Sequence, residues 1–166
     1  PWVAKRYAAI EEFFVKDPKQ CLPVIETIIG GAVNHSAVST FKAMYRLQAY
    51  KVECDKILAQ VDCVITPTAG TTYRIDEVQA EPILLNSNLG YYTNFMNLLD
   101  YAAIAVPGGF LDNGLPFGVT LFGPAFSDRL LLSAGAQLQQ LHNFSLGATE
   151  HALPALSATN AHEMAG

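Results

Sequence analysis

Few side chains in this sequence combine the types and the spacing that chemistry needs. Ser39 and Lys42 stand three apart in Ser39-Thr40-Phe41-Lys42. On a helix, one turn would bring that hydroxyl beside the amine, which could act as its base. The S-D-N and K-T-G elements that accompany such a pair in penicillin-recognising enzymes are absent, so the pair reads as a chance match of one short motif. Arg46 lies one turn after Lys42. An arginine offers a planar fork to a carboxylate, and a charge on an otherwise apolar helix is costly unless paired. Lys42 and Arg46 are therefore the favoured binding cations, ahead of Arg74, and the competing reading is an ordinary surface charge. Thr93, Asn94 and Asn97 fall among aromatics in the stretch Leu89–Asn97, with Tyr92 beside them as a further pocket candidate. Polar groups there must find hydrogen-bond partners if buried. They either cap a helix and pin a turn, or they line a pocket.

Other candidates are weaker. Glu11 and Glu12 are adjacent and read as a solvated helix face rather than an acid–base pair. His35, His142, His151 and His162 show no ligand spacing, and no C-x-x-C occurs, so no metal site is expected. Cys21, Cys54 and Cys63 make an odd count without a disulfide framework; reduced thiols and a cytoplasmic protein are the reading.

The elements that must position these residues follow from periodicity. Residues 1–15 and 22–29 read as helices, the first ended by Asp17-Pro18 and the second begun by Pro23 and stopped by Gly30-Gly31. Ser36 is a good cap for a long helix over 37–60. Its apolar positions, Val38, Phe41, Tyr45, Ala49 and Val52 on one stripe and Met44, Leu47, Cys54 and Leu58 on another, predict burial on more than one side. Residues 61–66 read as a strand ended by Pro67-Thr68, 71–81 as a loop or short edge element, and 82–97 as a new helix. Ala103–Val106 and Gly118–Phe122 are short apolar runs bounded by Pro and Gly, the pattern of strands buried on both faces. Asn113-Gly114 between them predicts a hairpin with a bulge or a wider loop. A last helix is expected over 129–142. Residues 145–166 have weak periodicity and read as a tail or linker.

Composition sets limits. The chain has 166 residues, enough for a real core, with 51% hydrophobic and only 15% charged residues. That is poor in charge against a usual ~25%, so much of its surface is expected to be covered by something else. The net charge of −5 disfavours a nucleic-acid or anionic-membrane role. No apolar run reaches the ~18 residues a membrane span needs. The chain opens Pro1-Trp2-Val3 without a signal peptide or an initiator Met, and reads as a fragment, a nicked chain or half of a larger enzyme.

One stretch carries a resemblance. Asn97, then Ala103-Ile-Ala-Val-Pro-Gly-Gly-Phe110, then Gly114-Leu-Pro-Phe-Gly-Val119 and Leu121-Phe-Gly-Pro124, resemble the C-terminal half of the amidase signature family. Met44-Tyr-Arg-Leu-Gln48, Thr66-Pro-Thr-Ala69, Thr72-Tyr-Arg-Ile-Asp-Glu-Val78 and Leu89 to Asn97 are most similar to the allophanate hydrolases within it. The resemblance implies an α/β fold, part of the amidase-signature architecture with a mixed central sheet covered by helices, incomplete as given. Residues 1–144 would be the C-terminal half of the amidase domain, and 145–166 the tether to a further C-terminal domain. It implies hydrolysis of allophanate to ammonia and carbon dioxide, with no metal or organic cofactor. The family's serine nucleophile, second serine and lysine lie in a Gly- and Ser-rich signature that this chain lacks. No catalytic residue is therefore assigned, and the chain alone is expected to be inactive. Its expected share is core and part of the pocket: Lys42, Arg46, Tyr92, Thr93 and Asn94 for substrate, with Pro67 and Thr68 nearby. The expected partners are the small-molecule substrate, the missing N-terminal half, and further copies in a homo-oligomer such as a dimer. Two other readings stand beside it: another amidase or the A-type subunit of an amidotransferase, and a non-catalytic interaction fragment.

Overall fold

In a computed structural model, residues 2–142 and 145–155 are described. The chain divides into two compact units, Pro1–Glu53 and Cys54–Gly166.

The first unit is helical. Helix α1 spans Trp2–Lys16, α2 spans Pro23–Gly30, and α3 begins at Ala37 and runs to Leu58. Tyr7 and Phe14, seven residues apart on α1, meet edge to face at 5.7 Å. The Arg6 guanidinium lies 4.6 Å over the Trp2 ring, one turn away. Pro23 opens α2 at a position where no N–H is needed. Gly30 ends that helix against the Phe14 ring. The chain does not stop turning there, but continues as a 3₁₀ turn over Gly31–Asn34. Ser36 caps α3 as expected, its Oγ accepting the Ser39 N–H at 3.1 Å.

The long helix departs from expectation in its burial. Val38, Phe41, Met44, Tyr45 and Val52 are all exposed, Tyr45 at 71%, and Leu58 alone on α3 is fully buried. The apolar pattern is real, but none of the described residues covers it.

The second unit is a three-stranded sheet with helices on both faces. Strands β1 (Val64–Pro67), β2 (Tyr101–Phe110) and β3 (Pro116–Pro124) pair antiparallel in the order β1-β3-β2. The α/β expectation holds, and this part of the sheet is antiparallel throughout. The hairpin has the expected bulge, between Pro107 and Gly109, with Gly109 at φ 110°. Its turn closes by Leu111 N–H to Leu115 O at 2.9 Å and Gly114 N–H to Leu111 O at 2.8 Å.

Side chains alternate along each strand. On one face Val106 and Leu121 pack against Leu131 of α7 (Asp128–His142). On the other, Phe122 packs with Leu58 and with Met96 of α6 (Asn94–Leu98). Phe95 meets Phe122 edge to face at 5.3 Å, and Tyr101 stacks on it at 5.9 Å. Each such buried side chain contributes about 1.5–3 kcal/mol. β3 is buried at its centre from both sides, as expected, but β2 is not: Ala103 and Ala105 are exposed. Among the described strands β2 is an edge, with only one face covered.

Two further differences concern residues 71–98. Ile75–Ala80 is a helix, α4, rather than a loop or edge element. Its start is held by Arg74 N–H donating to Glu77 Oε2 at 2.8 Å, and Asp76 and Glu77 suit the positive end of its dipole. The segment expected as one helix is two, α5 (Pro82–Leu89) and α6. They separate at Gly90, where the Asn94 side chain occupies the space a Cβ would need.

Residues 145–155 form neither helix nor strand. Leu146 N–H bonds His151 O at 2.8 Å, and the Gln140 side-chain amide reaches Pro154 O at 2.7 Å. The rest of the expected tail, 156–166, lies outside the described residues. No helix among those described is long and apolar enough to cross a membrane.

Candidate functional site

The second unit carries a cavity of about 570 Å³, within the ~300–1,000 Å³ range of small-molecule sites. It lies where β1 ends. Thr68 to Thr72 form one wall, the bulged end of β2 and the start of β3 another, and Ser145 and Gly147 border it. The strand order places this site: β1 pairs with β3, so its terminal loop is carried beside the β2–β3 hairpin.

Thr68 is the most firmly held polar residue on that wall. Its N–H donates to Gly118 O at 3.0 Å. Its hydroxyl lies 2.9 Å from the hydroxyl of Thr120. Thr120 is the buried polar side chain of this core, only 4% exposed. Thr66 is its direct partner across the ladder, and the Thr66 hydroxyl is buried without a hydrogen-bond partner among the described residues. No Lys, Arg, Asp, Glu or His lines the cavity among the described residues. The wall is neutral: apolar side chains, hydroxyls, backbone groups and the Asn113 amide.

The residues expected from sequence fall in two places. Tyr92 belongs to the second unit and lies against the cavity loop: its Cε2 is 3.3 Å from where a Cβ on Gly70 would be. Its ring meets Tyr91 edge to face at 5.1 Å. Thr93 stands at the N-cap position of α6 without a side-chain cap bond. Asn94 starts that helix, its N–H donating to Gly90 O at 2.8 Å. Lys42 and Arg46 belong to the first unit, exposed on α3. Arg46 borders a smaller cavity there, about 360 Å³, with Trp2, His35 and Ser39. The Ser39 hydroxyl donates to Ser36 O at 2.8 Å, so its proton is turned to the helix start and not to Lys42. Arg74 is tied to Asp76, Nε to Oδ1 at 3.0 Å, on an exposed surface. That pairing holds the Asp76 carboxyl below the usual carboxylate range.

Sequence reasoning passed over Thr120, the aromatic hairpin residues Phe110 and Phe117 at the cavity, and the bond from Asn88 Nδ2 to Tyr73 Oη at 3.1 Å that ties the loop to α5. No local signal announces the first: a lone threonine interrupts the apolar run of β3, and only the pairing of β1 with β3 sets it beside Thr66 and Thr68.

Residues 11–132 match the profile of the family described as Amidase. The chain belongs to the amidase family. It is 45% identical over 133 residues to a urea amidolyase of Saccharomyces cerevisiae, a match that covers 79% of this chain and 7% of the relative. With the A-type subunit of a glutamyl-tRNA(Gln) amidotransferase from Renibacterium salmoninarum it shares 37% identity over 91 residues, 54% of this chain and 17% of the other. Among solved structures, a variant of Kluyveromyces lactis allophanate hydrolase superposes with a TM-score of 0.75 at 41% identity, covering 81% of this chain and 22% of that one. Urea amidolyase of K. lactis gives 0.77 at 34% identity, covering 96% and 10%. The amidase-family chain thus has the fold of these enzymes, and it spans less than a quarter of their length.

Proposed function

We propose that residues 1–144 are the C-terminal half of the amidase domain of an allophanate hydrolase, either separate or within a urea amidolyase. The observation that carries this reading is the match to K. lactis allophanate hydrolase, 41% identity with a TM-score of 0.75 over 81% of the chain. The whole enzyme would hydrolyse the C–N bond of allophanate to ammonia and carbon dioxide. The serine nucleophile and its activating serine and lysine would come from the rest of the domain, and this chain would contribute a neutral pocket wall. Residues 1–144 would complete the domain and 145–166 lead away from it.

Tyr92 is proposed as a substrate residue because it packs against Gly70 of the cavity loop, and Thr93 and Asn94 follow it on the same turn. Lys42 and Arg46 are proposed as carboxylate partners on charge alone, since no cation lines the larger cavity among the described residues. The exposed side chains of Phe41, Met44 and Tyr45 fit burial under the remainder of the domain or another copy in a homo-oligomeric enzyme such as a dimer. Free thiols at Cys21, Cys54 and Cys63 fit a cytoplasmic setting.

The amidotransferase reading stands second, on 37% identity over about half of the chain. Ammonia release by the full polypeptide, compared between allophanate and glutamine, decides between them. Preference for allophanate supports the proposal. Glutamine hydrolysis with allophanate spared would replace it.

A further inference from the structure

The hydroxyls of Thr68 and Thr120 are 2.9 Å apart, and geometry alone leaves open which one donates. Burial decides it. Thr120 is 4% exposed, and Thr68 Oγ1 is its one hydrogen-bond partner among the described residues. If Thr68 donated, the Thr120 proton would be buried with no acceptor, a cost of the size of a lost hydrogen bond. Thr68 has no such difficulty. It lines the cavity, where water or a ligand can take its proton. The same logic excludes Thr66 as the outlet: it faces Thr120 across the ladder, but its own hydroxyl forms no bond among the described residues.

Thr68 is also held in place. Its backbone N–H is bonded to Gly118 O at 3.0 Å. Its Oγ1 lies over Gly118, 3.3 Å from where a Cβ would sit. A hydroxyl so anchored, accepting one bond from beneath, has a single proton left and one direction in which to use it.

Resting on the reading above, we propose that Thr120 is a positioning residue of the amide site. Its buried hydroxyl donates to Thr68 and thereby makes Thr68 a hydrogen-bond donor into the cavity. The group Thr68 recognises is a carbonyl or carboxylate oxygen of a small amide. In a wall that bears no cation, such an oriented donor is a way to select an oxygen over an apolar group of the same size.

The test uses the full polypeptide that carries this segment, with ammonia release measured across allophanate concentrations. Thr120→Val keeps the shape and removes the donor. It is expected to raise KM about three- to tenfold, the equivalent of one ordinary hydrogen bond, with kcat within about twofold and an unchanged melting temperature. Thr120→Ser retains the hydroxyl and is expected to restore KM. Two results would overturn the inference: Thr120→Val with wild-type KM, or Thr120→Val and Thr120→Ser impaired alike in proportion to lost stability. An enzyme that spares allophanate but hydrolyses another amide would overturn only the substrate reading, and the same KM comparison on that amide then decides the role of Thr120. No ammonia from any amide would overturn both.

Discussion

The phenol of Tyr101, the first residue of β2, donates to Asp55 Oδ1 at 2.9 Å while its ring stacks on Phe122 at 5.9 Å. One side chain thus joins the last turn of α3 to the sheet, by a hydrogen bond at its tip and by packing along its body. Burial first, and then the hydrogen bond and charge of Asp55, raise the phenol above the ordinary tyrosine range. A folded-state value above the unfolded one means that the stabilisation is whole below the unfolded pKa, about 10, and is lost as pH rises through the folded value. Stability is therefore expected to fall above about pH 10. In Tyr101→Phe that alkaline loss should shrink, at a cost near neutrality of about 0.5–1.5 kcal/mol for the missing bond. Urea melts of both proteins between neutral and alkaline pH check this. An identical pH dependence in the two would show that Tyr101 does not carry it.

Gly135 sets how closely α7 approaches β2. A Cβ there would stand 3.1 Å from Val106 Cγ2 and 3.4 Å from Ile104 Cδ1. Both are ends of side chains, so one methyl can be accommodated by small shifts. The gain in helix propensity, about 1 kcal/mol for Gly→Ala, offsets that strain, and Gly135→Ala should be near neutral. Gly135→Val has no such room and should lose about 1–3 kcal/mol. Denaturant midpoints of the two variants separate these outcomes. Equal destabilisation by Ala and Val would mean that the helix cannot yield at all.

These contacts show what could and could not be read beforehand. The hairpin is legible because Asn113-Gly114 and the Pro- and Gly-bounded runs act locally, and local geometry is what short motifs encode. The α3 stripe is legible as apolar but not as exposed, because periodicity reports which side chains are apolar and not what packs on them. Helix α4 is missed because Ile75–Ala80 is too short for periodicity to register, and its start depends on a Glu77 cap to Arg74 N–H that composition does not announce. At the site, Thr68 is reachable from the Thr66-Pro67-Thr68 turn. Thr120 is not, since its importance arises from the β1–β3 register, a pairing of residues 54 positions apart for Thr66 and Thr120.

The loop wall of the cavity depends on the fit of Tyr92 to Gly70. A Cβ on Gly70 would come within 3.3 Å of Tyr92 Cε2, tighter than ordinary packing. Gly70→Ala is therefore expected to turn the ring or push the loop away, and Tyr92→Ala to leave the loop unsupported. Both should raise KM for the amide substrate more than they lower the melting temperature, because Tyr92 is exposed, at 36%, and contributes little to the core. Tyr92→Phe, which keeps the packing, should behave like the wild type if the ring edge alone matters. A loss in Tyr92→Phe as large as in Tyr92→Ala would assign the effect to the hydroxyl instead.

Gly118 tests the same wall from beneath. An added Cβ would lie 3.3 Å from Thr68 Oγ1 and 3.3 Å from Val106 O. The backbone oxygen cannot move without disturbing the β2–β3 ladder, so Thr68 must give way. Its hydroxyl would then leave Thr120, and the buried donor would lose its acceptor at a cost of about 1–3 kcal/mol. Gly118→Ala should therefore lower stability by that order and raise KM together. Combining it with Thr120→Val supplies the decisive comparison. With the buried donor already removed, Gly118→Ala should cost less than it does alone, because there is no bond left to break. Strictly additive losses in the double variant would mean that Gly118 acts through the ladder and not through the Thr68–Thr120 pair.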